Sequence, residues 1–159
     1  MDRLLPLAEQ VGGALLSRGE TLAISESSSG GLISAALLAI PGASSFYRGA
    51  GIIYTPQAFR GLMGLTRDDI EGMRSSTEPY ALFMAGTIRD KLRATWGLCE
   101  TGASGPTGNG YGDAAGHVCV AVAGATKTSR TIETGLSDRR ENMYLFAEAA
   151  LILLQEQLS

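Results

Sequence analysis

One stretch of the sequence, residues 21–40, most constrains the fold. Residues 21–26 form an apolar run typical of a short buried strand, and residues 29–40 form an apolar run typical of a helix. The junction holds hydroxyls, one carboxylate and two glycines, in the order Ser25-Glu26-Ser27-Ser28-Ser29-Gly30-Gly31. A strand that turns into a helix is the building unit of an α/β sheet, where ligands bind beyond the carboxyl ends of strands. The stretch therefore predicts an α/β domain with its functional site at this turn.

The chemistry of the turn allows two interpretations from the sequence alone. In the first, a serine caps the helix and the glycines complete an ordinary junction. In the second, a serine is a nucleophile, and unpaired N–H groups at the start of the helix stabilise an oxyanion. Gly30 and Gly31 would then let a substrate approach the backbone closely. The stretch departs from the nucleophile elbow G-x-S-x-G, because Ser25 or Glu26 stands where its first glycine should be.

The other apolar patterns predict elements in the order α-β-α-β-α-α-α-β-β-β-α. Helices are expected at residues 3–18, 29–40, 57–63, 67–72, 76–95 and 138–155, and strands at 21–26, 46–54, 96–101, 116–123 and 126–134. This order predicts a three-layer α/β/α fold with a mixed, mostly parallel sheet and an antiparallel C-terminal hairpin. The length of 159 residues predicts a single domain over residues 1–159.

A glycine-rich segment, residues 102–113, separates two of the predicted strands. Unstructured segments of this length are uncommon in compact domains unless they are functional, so we expect this one to border the site.

Composition excludes several functions. A net charge of -3 and a pI near 5.1 argue against nucleic-acid binding, and no apolar run is long enough to span a membrane. Cys99 and Cys119 lie far apart in apolar runs, which favours buried free thiols over a disulfide or a metal site. Free thiols suit a reducing compartment and no signal peptide is visible after Met1, so we expect a cytoplasmic protein. We expect no bound metal.

Three stretches together resemble one known family. They are the turn at residues 25–31, then Gly51-Ile52-Ile53-Tyr54-Thr55, then Thr101-Gly102-Ala103-Ser104-Gly105-Pro106 followed by Ala115-Gly116-His117-Val118. Over roughly residues 4–155 the chain resembles the CinA C-terminal domain family, the nicotinamide-nucleotide amidases or NMN deamidases. Residues 26–31 match the end of its hallmark A-E-S-C-T-G-G, with Ser28 for Cys and Ser29 for Thr, and residues 102–106 match its G-x-x-G-P loop.

The resemblance implies a serine/lysine amidohydrolase that cleaves the carboxamide of nicotinamide mononucleotide to nicotinate mononucleotide and ammonia, without a cofactor. By position it implies Ser27 as the nucleophile and Tyr54 as a second catalytic residue. It implies substrate contacts along the turn and the glycine-rich segment, at Glu26, Ser29, Gly30, Gly31, Thr101, Gly102 and Gly105. Arg139 would bind the phosphate through its forked donors, and the protein would be a homo-oligomer.

The chain departs from this family at the general base. The family places a lysine five residues after the tyrosine, where this chain has Phe59. Arg60 cannot replace it, because a guanidinium does not release its proton near neutral pH. Lys91 and Lys127 lie in no matching motif. Met143 also stands where family members often have a second arginine, which weakens the expected phosphate site.

Two hypotheses follow from this departure. In one, Ser27 still hydrolyses a nucleotide amide, with Glu26, Tyr54 or His117 as the base in a rearranged site. In the other, the chain binds a nucleotide-like ligand but is catalytically silent or acts on another substrate. Each alternative base also has a structural interpretation: Glu26 orients the turn by accepting backbone N–H bonds, Tyr54 lies beside the pocket at the end of a strand, and His117 is a structural histidine.

Overall fold

The computed structural model describes residues 1–159 as five helices, five strands and two short 3-10 helices. The helices are α1 (Leu5–Arg18), α2 (Leu32–Leu38), α3 (Pro56–Met63), α4 (Glu78–Lys91) and α5 (Arg139–Leu158). The strands are β1 (Leu22–Glu26), β2 (Tyr47–Ile52), β3 (Trp96–Ala103), β4 (His117–Ala123) and β5 (Lys127–Glu133). The 3-10 helices are Ala43–Ser45 and Arg67–Ile70. The predicted order of elements is therefore confirmed, with one additional 3-10 helix before β2.

The five strands form one mixed sheet in the order β2-β1-β3-β4-β5. Strand β1 pairs in parallel with β2 and β3, whereas β3–β4 and β4–β5 are antiparallel pairs. Four of the five strands therefore run in the same direction, and the mostly parallel sheet with a C-terminal hairpin is confirmed. The carboxyl ends of β1, β2 and β3 meet at one edge of the sheet, which is where such folds bind ligands.

Helices cover both faces of the sheet and give the predicted three layers. The alternation of side chains along β4 shows this division, since Val118, Val120 and Val122 pack with α1, α2 and α5 on one face. On the other face Cys119, Ala121 and Ala123 pack with α3 and α4. Both cysteines are buried and unpaired, as predicted. No helix has both the length and the apolar character needed to cross a bilayer.

Element boundaries differ from the predictions where side chains or pairing compete with propensity. Helix α2 begins only at Leu32, because Gly30 and Gly31 have φ values of +65° and +97°, which a helix does not accept. Strand β3 continues to Ala103, because Gly102 and Ala103 pair with β4. Helix α3 begins with a capping residue, because Thr55 accepts a hydrogen bond from the Ala58 N–H at 3.2 Å.

Candidate functional site

Two neighbouring hollows open at the carboxyl edge of the sheet. The large hollow encloses about 820 Å³ and is lined by Ser27, Ile53, Tyr54, Thr55, Pro56, Phe59, Arg60, Thr66, Arg67, Ile70, Glu71, Gly72, Met73, Arg74, Ser75, Ser76, Tyr80, Thr101, Gly102, Asn109 and Tyr111. The small hollow encloses about 250 Å³ and is lined by Ser28, Tyr54, Gly102, Ala103, Ser104, Gly105, Thr107, Gly108, Asn109 and Arg139. Tyr54, Gly102 and Asn109 border both hollows, so the two form one continuous site.

Ser27 directly follows β1 and lies on the wall of the large hollow. Its N–H donates to Glu100 Oε2 at 2.9 Å, whereas its hydroxyl has no hydrogen-bond partner within the chain. The next residue, Ser28, donates its hydroxyl to the Gly102 carbonyl at 2.6 Å. The Ser28 N–H has no backbone or side-chain acceptor. A half-buried hydroxyl beside an unpaired N–H is the arrangement that a nucleophile and an oxyanion donor require.

Glu26 lies beneath this turn and does not reach either hollow. Its side chain is fully buried, with 0% exposure. Its two oxygens accept five hydrogen bonds, from Ser29 Oγ, the N–H groups of Gly31, Ile33 and Ser34, and the Ser34 hydroxyl. The predicted substrate contact at Glu26 is therefore corrected: this carboxylate orients the turn, which was the alternative that the sequence left open. A general-base role fails for the same geometric reason.

A second buried glutamate, Glu100, was missed by the sequence analysis. The register pairs Ser25 with Cys99, so Glu26 and Glu100 follow side by side on adjacent strands. Glu100 Oε2 accepts the N–H groups of Ser27 and Ser29, both at 2.9 Å. The available signal was a single acidic residue within the apolar run of a buried strand, which is rare without partners.

The Ser29 hydroxyl links the two glutamates. It lies 2.8 Å from Oε2 of both Glu26 and Glu100. Because it has one hydrogen, it can donate fully to only one of these oxygens. Burial raises the pKa of Glu100, which favours the neutral form of this carboxyl, and its Oε1 has no hydrogen-bond partner.

Ser29, Gly30 and Gly31 do not line a hollow either. Ser29 is fully buried between the two glutamates, so its predicted substrate contact is corrected. A Cβ at Gly30 would lie 2.9 Å from the Met143 methyl group, and the Gly31 N–H already donates to Glu26. Most N–H groups between Ser27 and Ser34 therefore donate to the two buried carboxylates, whereas the Ser28 N–H has no acceptor within the chain.

Tyr54 and Arg139 come together at the small hollow, although 85 residues separate them in the chain. Arg139 Nη2 donates to the Tyr54 hydroxyl at 2.9 Å, and Nη1 donates to the Gly105 carbonyl at 2.6 Å. The guanidinium also lies 5.9 Å from the centre of the Tyr54 ring. These contacts tie the start of α5 to the end of β2 and to the loop after β3, and they place both predicted residues beside a ligand space.

Thr101 and Gly102 line the large hollow at the end of β3. Their contact with a substrate stays a prediction. The Thr101 hydroxyl accepts the Ser76 N–H at 3.1 Å. Ser76 is a non-glycine residue with φ +60°, a strained conformation that often marks functional segments. It was not predicted, because no sequence pattern indicates this backbone geometry.

Phe59, at the position of the family lysine, lines the large hollow with only 9% of its surface exposed. Its ring stacks on Tyr80, with 6.4 Å between ring centres and 26° between planes. This pair gives the hollow an aromatic surface in place of an amine. Lys91 and Lys127 are exposed and line neither hollow. No side chain with a basic nitrogen or free carboxylate hydrogen-bonds the Ser27 hydroxyl.

His117 is committed to other partners. Its Nδ1 contacts Glu133 Oε1, and its Nε2 lies 2.8 Å from the Ser76 carbonyl. Burial alone would lower the pKa of His117, but the Glu133 hydrogen bond, the Ser76 carbonyl and the charges of Glu133 and Asp113 outweigh it and raise the pKa. Because both ring nitrogens contact other groups and His117 lines neither hollow, it is no base for Ser27, and the structural interpretation of His117 holds.

An ion pair fixes the glycine-rich segment beside the large hollow. Arg74 donates to both oxygens of Asp113, at 2.7 and 3.1 Å, and its guanidinium lies 4.9 Å from the centre of the Tyr111 ring. The hydrogen bonds from Arg74 lower the pKa of Asp113 to about 2, with further help from Asn109 and His117. Asn109 Nδ2 also donates to Asp113 at 2.7 Å, so the segment holds a defined conformation.

The fold and the site define a class of protein: a three-layer α/β/α domain with a serine turn at the carboxyl edge of its sheet. Comparison with known proteins agrees. Residues 4–158 match the family model of the CinA C-terminal domain, and the chain belongs to this family. It is 35% identical over 155 residues to a CinA-like protein of Gloeobacter violaceus and 34% identical over 149 residues to one of Salinibacter ruber. These matches cover 96% and 94% of this chain but only 36% of each relative, so the chain spans little more than one third of their length.

Solved structures show the same fold. A CinA superfamily protein from Enterobacter cloacae superimposes with a TM-score of 0.89 at 25% identity, over 98% of this chain and 92% of that one. A competence or damage-inducible protein from Enterobacter asburiae superimposes with a TM-score of 0.88 at 27% identity, over 96% of each chain.

Proposed function

We propose that this chain binds a nicotinamide-nucleotide-like ligand in the large hollow, with the amide of the ligand beside Ser27, and does not hydrolyse that amide at an enzymatic rate. The observation that carries the proposal is Phe59, whose buried ring stacks on Tyr80 in the same hollow as Ser27. The relatives are known here only as CinA-like or competence-related proteins, so the ligand class comes from the resemblance in the sequence motifs.

The missing base explains the expected loss of chemistry. A serine hydroxyl becomes a useful nucleophile only when a neighbouring group accepts its proton. Removing such a base typically slows a reaction by about 10²- to 10⁴-fold. The Ser27 hydroxyl has no such neighbour among its hydrogen-bond partners, while the pocket, the Ser28 N–H and the aromatic surface remain available for binding.

Calorimetry with nicotinamide mononucleotide tests the binding half of the proposal. We expect saturable binding at one site per chain. Ser27→Trp should weaken this binding, because the larger side chain occupies space in the large hollow. Lys91→Ala is the control, because Lys91 is exposed and lies outside both hollows. Absence of binding to the folded wild-type chain would overturn the proposal.

A second candidate function is hydrolysis of an amide by Ser27 itself. The unpaired Ser27 hydroxyl next to the unpaired Ser28 N–H favours it, because the two supply a nucleophile and an oxyanion donor. Without a protein base, the substrate or a water molecule would have to accept the proton. Ammonia release from nicotinamide mononucleotide by the wild type, above the level of Ser27→Ala, would establish this function in place of the silent one.

A further inference from the structure

The large hollow carries positive charge that the proposed function does not yet use. Three arginines line it, Arg60, Arg67 and Arg74, against a single carboxylate, Glu71. The chain as a whole has a net charge of -3. An acidic protein that gathers guanidinium groups on the wall of one hollow attracts anions to that hollow.

The three arginines differ in their partners. Arg74 is neutralised by the ion pair with Asp113, 2.7 Å long, and by its contact with the Tyr111 ring. Arg60 and Arg67 are exposed and take part in none of the ion pairs of the chain. Two forked donor groups in the same hollow therefore have their hydrogen-bonding capacity free for a ligand.

Arg60 and Arg67 both line the large hollow and come from one short segment of the chain. Arg60 lies in the last turn of α3, and Arg67 begins the 3-10 helix that follows after three residues. That helix holds two acidic residues, Asp68 and Asp69. Asp69 accepts the N–H and hydroxyl of Thr66, and neither carboxylate forms an ion pair with Arg60 or Arg67. Both guanidiniums are therefore without an acidic partner.

The phosphate site implied by the resemblance is weaker in this chain. Arg139 uses two of its donors on Tyr54 and the Gly105 carbonyl, and Met143 replaces the second arginine. Arg139 also lines the small hollow, whereas Ser27 lines the large one. The arginines that share the large hollow with Ser27 and have no acidic partner are Arg60 and Arg67.

We infer that Arg60 and Arg67 form an anion-binding subsite of the large hollow, and that this subsite takes the phosphate group of the ligand. The inference rests on the proposed function for the identity of the rest of the ligand, but the subsite itself is a property of the two guanidiniums. Two guanidiniums that contact the same phosphate bind it through several charge-assisted hydrogen bonds.

Calorimetry with two ligands tests the subsite. The ligands are nicotinamide mononucleotide and nicotinamide riboside, which differ only in the phosphate. The double variant Arg60→Gln/Arg67→Gln should lose about tenfold or more in affinity for the mononucleotide and little for the riboside. The control is Arg48→Gln/Arg93→Gln, which removes the same charge from exposed arginines outside both hollows. An equal loss in the control, or a loss found only in Arg139→Gln, overturns the inference.

A second measurement separates this inference from the proposed function. The probe is inorganic phosphate, followed by ³¹P NMR line broadening on adding the wild type or Arg60→Gln/Arg67→Gln. Broadening by the wild type that the double variant loses supports the subsite even if no nucleotide binds. Broadening that is equal for both proteins, or absent for both, overturns it.

Discussion

The two walls of the large hollow are built on different physical principles. On one side, the turn at residues 25–31 is fixed by two fully buried glutamates and a chain of short hydrogen bonds. On the other side, residues 53–76 form two short helices and an exposed surface with unpaired arginines. The first wall fixes where Ser27 stands, and the second determines what the hollow can hold or do. Chemistry can therefore be lost at Phe59 while the serine turn remains intact.

The largest expected effect on stability comes from a substitution that removes a buried glutamate from the first wall. Glu26→Ala removes an acceptor of five hydrogen bonds and leaves buried N–H groups unpaired, so we expect a loss of more than about 3 kcal/mol in the free energy of unfolding. Glu71→Ala, on the exposed second wall, should change it by less than about 0.5 kcal/mol. Urea unfolding measures both, and similar values for the two variants would contradict the contrast.

The burial of Glu100 makes the stability of the first wall depend on pH. Burial raises the pKa of Glu100 above 4.5, its value without burial. A raised pKa stabilises the fold below that value, and this stability is lost as the pH rises through the pKa of the folded state. Gln resembles the neutral acid and does not titrate. The stability of Glu100→Gln relative to the wild type should therefore increase as the pH rises above 4.5.

Denaturant unfolding at a series of pH values measures this difference. Glu148→Gln, which changes a surface carboxylate, serves as the control. If the wild type instead became more stable relative to Glu100→Gln as the pH rises, Glu100 would be ionised in the folded protein.

The smallest expected effect concerns the strained residue of the second wall. Ser76 has φ +60°, which glycine adopts freely, whereas Ser75 has no such conformation. Each substitution by glycine increases the conformational entropy of the unfolded chain by the same amount. The difference in stability between the two variants therefore measures the backbone strain at Ser76. Ser76→Gly should be more stable than Ser75→Gly by about 1 kcal/mol in thermal unfolding. The opposite order would show that the Ser76 conformation carries no strain.

Local patterns in the sequence predicted the fold well, since apolar periodicity and turn residues specify the elements and the strand-turn-helix unit. The helix caps are equally local, since Thr55 accepts the Ala58 N–H and Asp69 accepts the Thr66 N–H. What could not be predicted depends on register and packing. Glu100 joins the turn only because β1 and β3 align Ser25 with Cys99, and Arg139 meets Tyr54 only because α5 packs where β2 ends.

Ammonia release from nicotinamide mononucleotide by Phe59→Lys would show whether the missing lysine is what silences Ser27. A lysine at this largely buried position has a lowered pKa, so that it can accept the proton of Ser27 near neutral pH. Phe59→Met, of similar length without an amine, is the matched control, and thermal unfolding verifies that both variants are folded. We expect ammonia release by Phe59→Lys, and we expect Ser27→Ala to abolish it when added to that variant. The wild type and Phe59→Met should release none. Turnover by the wild type that depends on Ser27 would contradict this expectation.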